Sequence, residues 1–223
     1  MGKIIVIEGL VSSGKETQSK LLVDYLKSQG YKVAEFSFPI YQSPTGKIFK
    51  ECVLDKKSPS WFPEGYSNID PKVVSLYTAA DRRYNMGKIN KLLQDDYIVV
   101  LNRYTSSNMA HQGARYETED ERFFMYQWID KLEYWLLQLP KPDITILLNL
   151  PYAYCTKLNE NQIHFNLDKK QDEHEQDQIL NCFLELSSLY NWDVIDCVVN
   201  HEVKNIKTVH QEIVDLLKNK YEL

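Results

Sequence analysis

The segment Ile4–Thr17 reads IIVIEGLVSSGKET and joins an apolar run to a glycine-rich turn that ends in a lysine. The apolar run predicts a buried strand, and the residues from Lys15 onward predict a helix. Gly9 and Gly14 allow a tight turn whose backbone N–H groups point at an anion, and the helix N-terminus and Lys15 add positive charge. The pattern Gly-x4-Gly-Lys between a strand and a helix therefore predicts a loop that binds a triphosphate.

Seven residues of this loop are expected to contact the triphosphate. They are Gly9, Ser12, Ser13, Gly14, Lys15, Glu16 and Thr17. Glu16 departs from the usual motif, since Ser or Thr normally offers a hydroxyl to Mg²⁺ at this position. Thr17 does not simply replace it, because one residue rotates a helix by about 100°. Glu16 would either reach the metal through water or favour the helix N-terminus electrostatically, and both readings stay open.

Composition limits the class of protein. The chain has 223 residues, of which 43% are hydrophobic, enough for one domain, 1–223, with a full core. A net charge of −5 argues against a general nucleic-acid or membrane-surface binder. The four cysteines lack metal-site spacing and are typical of reduced cysteines in a cytoplasmic protein. No apolar run approaches the length of a membrane span. Together with the negative net charge, this leads us to expect neither nucleic acid nor a membrane as partner.

Five nearly continuous apolar runs alternate with helical patterns. The predicted strands are Lys3–Glu8, Lys32–Phe38, Tyr97–Asn102, Asp143–Leu150 and Asp193–Val199. The predicted helices lie near Lys15–Gln29, Pro71–Leu93, Glu119–Gln138, Gln171–Tyr190 and Lys204–Lys218. This alternation predicts a three-layer α/β/α sandwich with a central parallel sheet of about five strands, the P-loop NTPase fold. Ligands of such sheets lie beyond the carboxyl ends of the strands, where Gly9 and Arg103 fall.

A second polar segment follows the third predicted strand and reads NRYTSSNMAHQG from Asn102 to Gly113. Asp81-Arg82 lies in the second predicted helix, Phe38-Pro39 ends the second strand, and DEHE ends at Glu175. In this order and spacing, the motifs resemble the thymidylate kinase family of nucleoside monophosphate kinases, from Lys3 to about Tyr190. The resemblance implies transfer of the γ-phosphoryl of ATP to dTMP to give dTDP. It also implies small-molecule nucleotides as partners, Mg²⁺ as cofactor and a homodimer.

The resemblance assigns roles to single residues. Lys15 and Arg103 are the expected catalytic residues, and Glu175 is expected to support the metal through water. The residues expected at the acceptor nucleotide are Phe38, Tyr41, Arg82, Arg103, Asn108, His111 and Gln112. Arg82 and Arg103 would hold the monophosphate, because a guanidinium binds two oxygens at once. Asn108 would hydrogen-bond the edge of the base, since an amide offers both a donor and acceptors.

Several positions depart from the family pattern. Val11 and Asn102 stand where a carboxylate or another polar residue is usual, and Tyr41 stands where an arginine is expected. Thr78 occupies the position of the aromatic residue that would stack on the base, although Tyr77 is adjacent. The role of Glu8, at the end of the first strand, has two readings, a place near the acceptor or a cap of the loop.

The expected lid, at about 152–171, contains no arginine, whereas family members place a catalytic arginine there or in the phosphate loop. We therefore expect a slower enzyme, or one that uses Lys169 or Lys170. Two alternatives stay open: a kinase for another nucleotide or deoxynucleoside, and a nucleotide-binding protein without catalysis. A mechanical P-loop ATPase is disfavoured, because no apolar strand ends in an obvious water-activating Asp.

Two further segments receive structural predictions. An aromatic stripe at helical spacing is expected mainly in the core, with part of it as a dimer face. It consists of Phe124, Trp128, Leu132, Tyr134, Trp135 and Leu136. Residues 58–70 lack periodicity and predict a long surface loop near the acceptor site.

Overall fold

A parallel sheet of five strands forms the centre of the protein, in the order β2-β3-β1-β4-β5. The structure is a computed structural model that describes residues 2–54, 61–160 and 173–223, without the side chains of 157–160. The strands are β1 Lys3–Gly9, β2 Val33–Ser37, β3 Ile98–Asn102, β4 Ile144–Asn149, β5 Asp193–Asp196, β6 Val198–Val199 and β7 Glu202–Val203. The last two form a separate antiparallel hairpin.

Eight α-helices accompany the strands in the described ranges. They are α1 Lys15–Ser28, α2 Pro44–Phe49, α3 Pro71–Gln94, α4 Thr105–Gly113, α5 Glu119–Asp130, α6 Tyr152–Glu160, α7 Glu173–Leu189 and α8 Ile206–Tyr221. Two π-helical turns follow α2 and α5, at Lys50–Leu54 and Lys131–Leu136, and a 3₁₀ turn lies at Tyr66–Asn68. The sequence pattern did not predict α2, α4 or α6, each of which has nine residues or fewer.

The three layers follow from the alternation of side chains along the strands. Ile5 and Ile7 of β1 pack into one core cluster, which also contains Leu22 of α1 and Ile213 of α8. Ile4 and Val6 point to the opposite face and pack with Met86 and Ile89 of α3. Because successive strand residues face opposite sides, one buried strand is covered by helices on both faces. The predicted three-layer sandwich with a parallel five-stranded sheet is confirmed.

The register of the sheet brings the two polar segments of the sequence together. β1 pairs with β3 in parallel, with Ile7 opposite Asn102. The phosphate-binding loop after β1 and the segment that begins with Arg103 after β3 therefore leave the same edge of the sheet side by side. This edge is the carboxyl end of the strands, where ligands of such sheets bind.

The fifth predicted strand, Asp193–Val199, is corrected by the structure. β5 ends at Asp196, and the next residues leave the sheet to form the β6–β7 hairpin. Its two turn residues, Asn200 and His201, have φ values of 50° and 64°, as a type I′ hairpin turn requires. The chain therefore turns back before the predicted end of the strand.

The predicted helix Glu119–Gln138 is also corrected, and with it the core position of its aromatic stripe. The π-helical turn after α5 has a longer repeat than an α-helix, so residues beyond Asp130 leave the predicted face. Trp135 and Leu136 are 69% and 58% exposed. Phe124 lies outside the buried face of α5 and is 58% exposed. The other aromatic residues of the stripe, Trp128 and Tyr134, are partly buried against the core.

Two segments of lower regularity complete the fold. The predicted loop 58–70 contains one 3₁₀ turn in its described part, from residue 61 onward, and residues 58–60 lie outside the described residues. The predicted lid begins as helix α6, and its remainder, 161–171, lies outside the described residues together with Lys169 and Lys170. None of the described helices combines the length and the apolar character that a membrane span requires.

Candidate active site

The phosphate-binding loop borders a cavity of about 940 Å³. Its lining includes Ser12 to Thr17 of the loop, Asn102 at the end of β3 with the following Arg103, and the chain from Val203 to Lys207. Gly9 is required where the loop leaves β1, because its φ is +146° and a Cβ atom would lie 2.8 Å from the carbonyl oxygen of Leu148. Glycine at this position therefore lets the loop turn close against β4, with the loop beside the cavity.

Lys15 is the buried cation of this cavity. Its Nζ donates to the carbonyl of Leu10 and lies 3.4 Å from Ser13 Oγ. Burial and the charge of Arg103 lower the pKa of Lys15 well below its ordinary value, although Glu8 opposes this shift. The lysine thus lies in a site with an excess of positive charge, as a polyphosphate requires. Glu16, by contrast, is exposed and pairs with Lys20 at 2.6 Å.

Arg103 lines both this cavity and a second one. It follows β3 directly with a φ of 68°, and its Nη1 lies 3.3 Å from Ser107 Oγ and 3.2 Å from His111 Nε2. Burial and the charges of Arg103 and Lys15 lower the pKa of His111 to about 3. His111 is therefore neutral near pH 7 and can accept a hydrogen bond from Arg103, which fixes the guanidinium between the two cavities.

Glu8 holds the start of α4, a role that neither of the two readings from the sequence named. This carboxylate is fully buried and accepts from the backbone N–H groups of Tyr104 and Ser107, at 2.9 and 3.1 Å. The hydroxyls of Ser106 and Ser107 donate to it at 2.6 Å each. An anion at a helix N-terminus satisfies unpaired N–H groups and favours the helix electrostatically. Glu8 thus fixes the segment that carries Arg103.

All seven residues predicted for the acceptor nucleotide line the second cavity, which has a volume of about 570 Å³. They are Phe38, Tyr41, Arg82, Arg103, Asn108, His111 and Gln112. Glu175, the predicted metal residue, lines this cavity too, from the exposed first turn of α7. The structure therefore brings together residues from five parts of the chain, next to the phosphate-binding loop.

Arg82 and Asn108 share one buried carboxylate, that of Glu133. Arg82 donates to it from Nε and Nη2, both at 2.5 Å, and Asn108 donates from Nδ2 at 3.0 Å. Burial opposes the charged form of Arg82, but the charge and hydrogen bonds of Glu133 raise its pKa overall. The sequence predicted that the guanidinium of Arg82 would bind a monophosphate with two nitrogens at once. In the structure, two of its nitrogens, Nε and Nη2, donate to Glu133 instead. Nη1 takes part in none of these bonds.

The position of the expected stacking residue is taken by Thr78, which lines the acceptor cavity. Its hydroxyl accepts from Arg82 Nη2 at 3.1 Å. Tyr77 does not line this cavity and packs edge-on against Phe62, with ring centroids 5.9 Å apart. In the described part of the chain, the Phe and Tyr residues that line the cavity are instead Phe38, Tyr41, Phe49, Tyr66 and Tyr104.

Asp81 is a functional residue that the sequence reading underestimated. It accepts from the backbone N–H of Ile40 at 2.8 Å and from the hydroxyls of Ser43 and Thr45 at 2.7 and 2.8 Å. Asn85, one turn further along α3, donates to it at 3.0 Å. Asp81 therefore ties the loop after β2 to α3 and positions Tyr41 at the cavity. The Asp-Arg pair in the sequence was the signal, whereas nothing in the pattern pointed to Glu133.

These features define a nucleotide-binding P-loop protein with a phosphate cavity and an adjoining acceptor cavity. The family model for thymidylate kinase matches residues 7–213. The human thymidylate kinase is 28% identical over 214 residues, covering 95% of this chain and 88% of the relative. The thymidylate kinase of Schizosaccharomyces pombe is 26% identical over 218 residues, covering 98% and 92%.

A solved structure agrees with the fold. The thymidylate kinase from Candida albicans superposes with a TM-score of 0.70 at 24% identity, covering 97% of this chain and 91% of that one. The chain belongs to the thymidylate kinase family, and it is an ATP-dependent phosphotransferase of the P-loop class. The family suggested by the sequence motifs is thus confirmed.

Proposed function

We propose that this protein transfers the γ-phosphoryl group of ATP to dTMP and releases ADP and dTDP. The observation that carries the proposal is the position of Arg103, which lines the phosphate cavity and the acceptor cavity at once. Phosphoryl transfer requires two nucleotides in line and cations that neutralise the developing charge. Arg103 is the only one of the five arginines of the chain to line the phosphate cavity as the structure describes it.

The roles of the residues follow from their positions. Lys15 and the loop amides would bind the β- and γ-phosphates of ATP, because they border the first cavity and are arranged for an anion. Arg103 would bind the acceptor phosphate, held in place by the neutral His111. Asn108 would contact the base, and Arg82, whose fork is occupied by Glu133, would lie with it at that end of the cavity. Gln112 and Tyr41 would complete the walls.

Mg²⁺ is the proposed cofactor, and the oxygen atoms at the site fit it. Magnesium takes few protein ligands and keeps phosphate and water oxygens. Asn102 lines the phosphate cavity, and its buried Oδ1 lacks a hydrogen-bond partner in the described ranges. Asn102 would hold the ion with the ATP phosphates, and Glu175 would support it through water. When bound, the ion would neutralise charge on the transferred group.

We also propose a homodimer, supported by apolar side chains left exposed on neighbouring helices. Leu76 of α3, Phe124 of α5, and Trp135 and Leu136 of the following turn are each more than half exposed. Lys72 links the two helices, with its Nζ 5.3 Å from the Phe124 ring centre. Exposed apolar side chains that lie together mark interaction surfaces, and these four are the candidate contact residues. Sedimentation should give twice the chain mass, and Trp135→Glu should give the monomer, whereas a wild-type monomer would contradict the proposal.

A cytoplasmic location and a single domain with a lid at about 152–171 complete the proposal. The four cysteines, Cys52, Cys155, Cys182 and Cys197, are all buried and free, which suits a reducing compartment. A lid would exclude water, since water would otherwise accept the phosphoryl group. Lys169 or Lys170 remains the proposed cation of this lid.

The test is ADP formation from ATP and Mg²⁺ with a panel of ribo- and deoxynucleoside monophosphates and free nucleosides. We expect strong stimulation by dTMP. Stimulation by a different acceptor alone would retain the phosphotransferase class and overturn dTMP as the substrate. No stimulation by any acceptor, with ATP still bound, would favour a nucleotide-binding protein without catalysis.

A further inference from the structure

Glu133 is a buried carboxylate behind the wall of the acceptor cavity. It lies in the π-helical turn Lys131–Leu136, its exposed fraction is 0%, and it is not among the residues that line the cavity. A buried charge is costly unless it is paired and hydrogen-bonded. The partners that compensate this one are Arg82 and Asn108, the two polar residues proposed for the base end of the cavity.

Each oxygen of Glu133 accepts two hydrogen bonds. Oε2 accepts from Arg82 Nε at 2.5 Å and from Thr105 Oγ1 at 2.8 Å. Oε1 accepts from Arg82 Nη2 at 2.5 Å and from Asn108 Nδ2 at 3.0 Å. The carboxylate therefore fixes side chains from α3 and α4 at the same time.

The orientation of the Asn108 amide follows from this contact. An ionised carboxylate has no hydrogen to donate, so only the nitrogen of the amide can face it. The amide oxygen, Oδ1, is left on the other side, and it is buried without a hydrogen-bond partner in the part of the chain that the structure describes. Since Asn108 lines the acceptor cavity, its free polar atom is an acceptor.

We propose that Glu133 is a positioning residue that sets the choice of base. It turns Asn108 so that the cavity offers an amide oxygen, which accepts from a ring N–H, and it leaves Arg82 Nη1 as a donor. This acceptor–donor pair matches thymine or uracil, whose N3–H and O4 have the opposite polarity. Cytosine places a ring acceptor and an amino donor there, so both contacts would be lost. The inference rests on the proposed function, because it requires a pyrimidine nucleotide in this cavity.

The experiment compares dTMP with dCMP as acceptors for the wild type and for Glu133→Gln. A site built for one hydrogen-bond pattern rejects the wrong one strongly, so we expect a wild-type preference in kcat/KM of about 10²-fold or more. The glutamine NH2 must take the place of Oε1 or Oε2, each of which accepts from Arg82, so one bond to Arg82 is lost in either case; at Oε1 the NH2 also faces the Asn108 amide and turns it. The preference should fall by about tenfold or more, mainly through KM for dTMP, with KM for ATP within about twofold.

Glu185→Gln is the matched control. Glu185 also pairs with an arginine, Arg122, at 2.6 Å and accepts from Tyr126 at 2.8 Å, outside the two cavities. This variant should retain the wild-type preference within about twofold. In an Asn108→Leu background, Glu133→Gln should lower the preference by less than it does in the wild type, because only the contact through Arg82 remains.

Two results would overturn the inference. One is a folded Glu133→Gln protein whose preference stays within about twofold of the wild type. The other is a wild type that uses dCMP as well as dTMP, which would leave the proposed phosphotransferase standing. A wild type that uses no monophosphate would remove the proposed function and this inference together.

A second variant keeps the inference testable if Glu133→Gln does not fold. Glu133→Met with Arg82→Met removes both charges of the buried pair, a change that proteins often tolerate. It should fold and lose the preference by at least about tenfold, and a retained preference would contradict the proposal.

Discussion

The phosphate cavity and the acceptor cavity are built in different ways. The loop wall of the phosphate cavity consists of one short segment, Gly9 to Lys15, whose shape is fixed by its glycines and by β4. The acceptor cavity depends on side chains that are oriented by three carboxylates outside its lining: Glu8, Asp81 and Glu133. Their partners lie 25 to 99 residues away in the sequence, apart from Asn85. A local motif therefore defines the loop wall of the first cavity, and long-range pairs orient the side chains of the second.

The largest effect is expected from Lys15→Ala, which removes the buried cation of the phosphate cavity. Loss of one preorganised charge at a reacting phosphate should lower kcat by about 10³-fold. The fold should remain, because removal of a buried charge with a lowered pKa does not break an ion pair. The measurement is ADP formation with dTMP, together with a thermal melt.

Lys20→Ala is the control for this prediction. Lys20 is exposed on the same helix and pairs with Glu16 at 2.6 Å, so its loss should change kcat by less than about twofold. Equal activities of the two variants would show that the loop lysine does not serve the transferred phosphate.

Asp81→Asn should disturb the acceptor cavity, because Asp81 holds the loop after β2 that carries Tyr41. An amide cannot accept from Ile40, Ser43 and Thr45 in the way that the carboxylate does, and one N–H would face a donor. We expect a loss of about 2–4 kcal/mol in the free energy of unfolding, by urea denaturation, and a higher KM for dTMP. Asp24→Asn, at an exposed position of α1, is the control. Equal changes in unfolding free energy and in KM for dTMP in both variants would refute the role of Asp81.

The fold could be predicted because its signal is local. Gly9–Lys15 and the apolar strands each carry their own pattern, and the sheet follows from the alternation of strands and helices. The acceptor residues could be named, but not their orientation, because Glu133 meets Arg82 and Asn108 across 51 and 25 residues. The π-helical turn that buries Glu133 and exposes Trp135 has no signature in a 3.6-residue pattern, so the sequence could not show which part of the aromatic stripe leaves the core.

A comparison of Gly9→Ala with Gly14→Ala should separate the effect of close packing in the loop from the effect of backbone conformation alone. A Cβ atom at Gly9 would meet Ser13 Oγ at 2.7 Å and the Leu148 carbonyl at 2.8 Å, at a φ of +146°. At Gly14, with φ +88°, a Cβ atom meets nothing within 4 Å. We expect Gly9→Ala to cost about 2–3 kcal/mol of stability and Gly14→Ala about 1 kcal/mol. The reverse order in urea denaturation would contradict this description of the loop.

The effect at His111 is smallest near neutral pH and grows as the pH falls. Its pKa is lowered to about 3, by burial and by the charges of Arg103 and Lys15. The unfolded chain therefore takes up a proton near pH 6.5 that the folded protein does not. This contribution is present above about pH 6.5 and is lost as the pH falls toward 3, with a slope of at most about 1.4 kcal/mol per unit.

His111→Gln should flatten the loss of stability between about pH 6 and 4. His201→Gln, at an exposed position in the turn between β6 and β7, is the control and should keep the wild-type slope of stability against pH. An unchanged slope in His111→Gln would show that the imidazole is protonated in the folded protein.

The most direct test of the connection between the cavities is Arg103→Ala with ATP and dTMP. Because Arg103 lines both cavities and is held by His111 and Ser107, we expect kcat/KM for dTMP to fall by about 10²- to 10³-fold. Both a lower kcat and a higher KM should contribute. A folded Arg103→Ala protein with the turnover and the dTMP KM of the wild type would contradict the account.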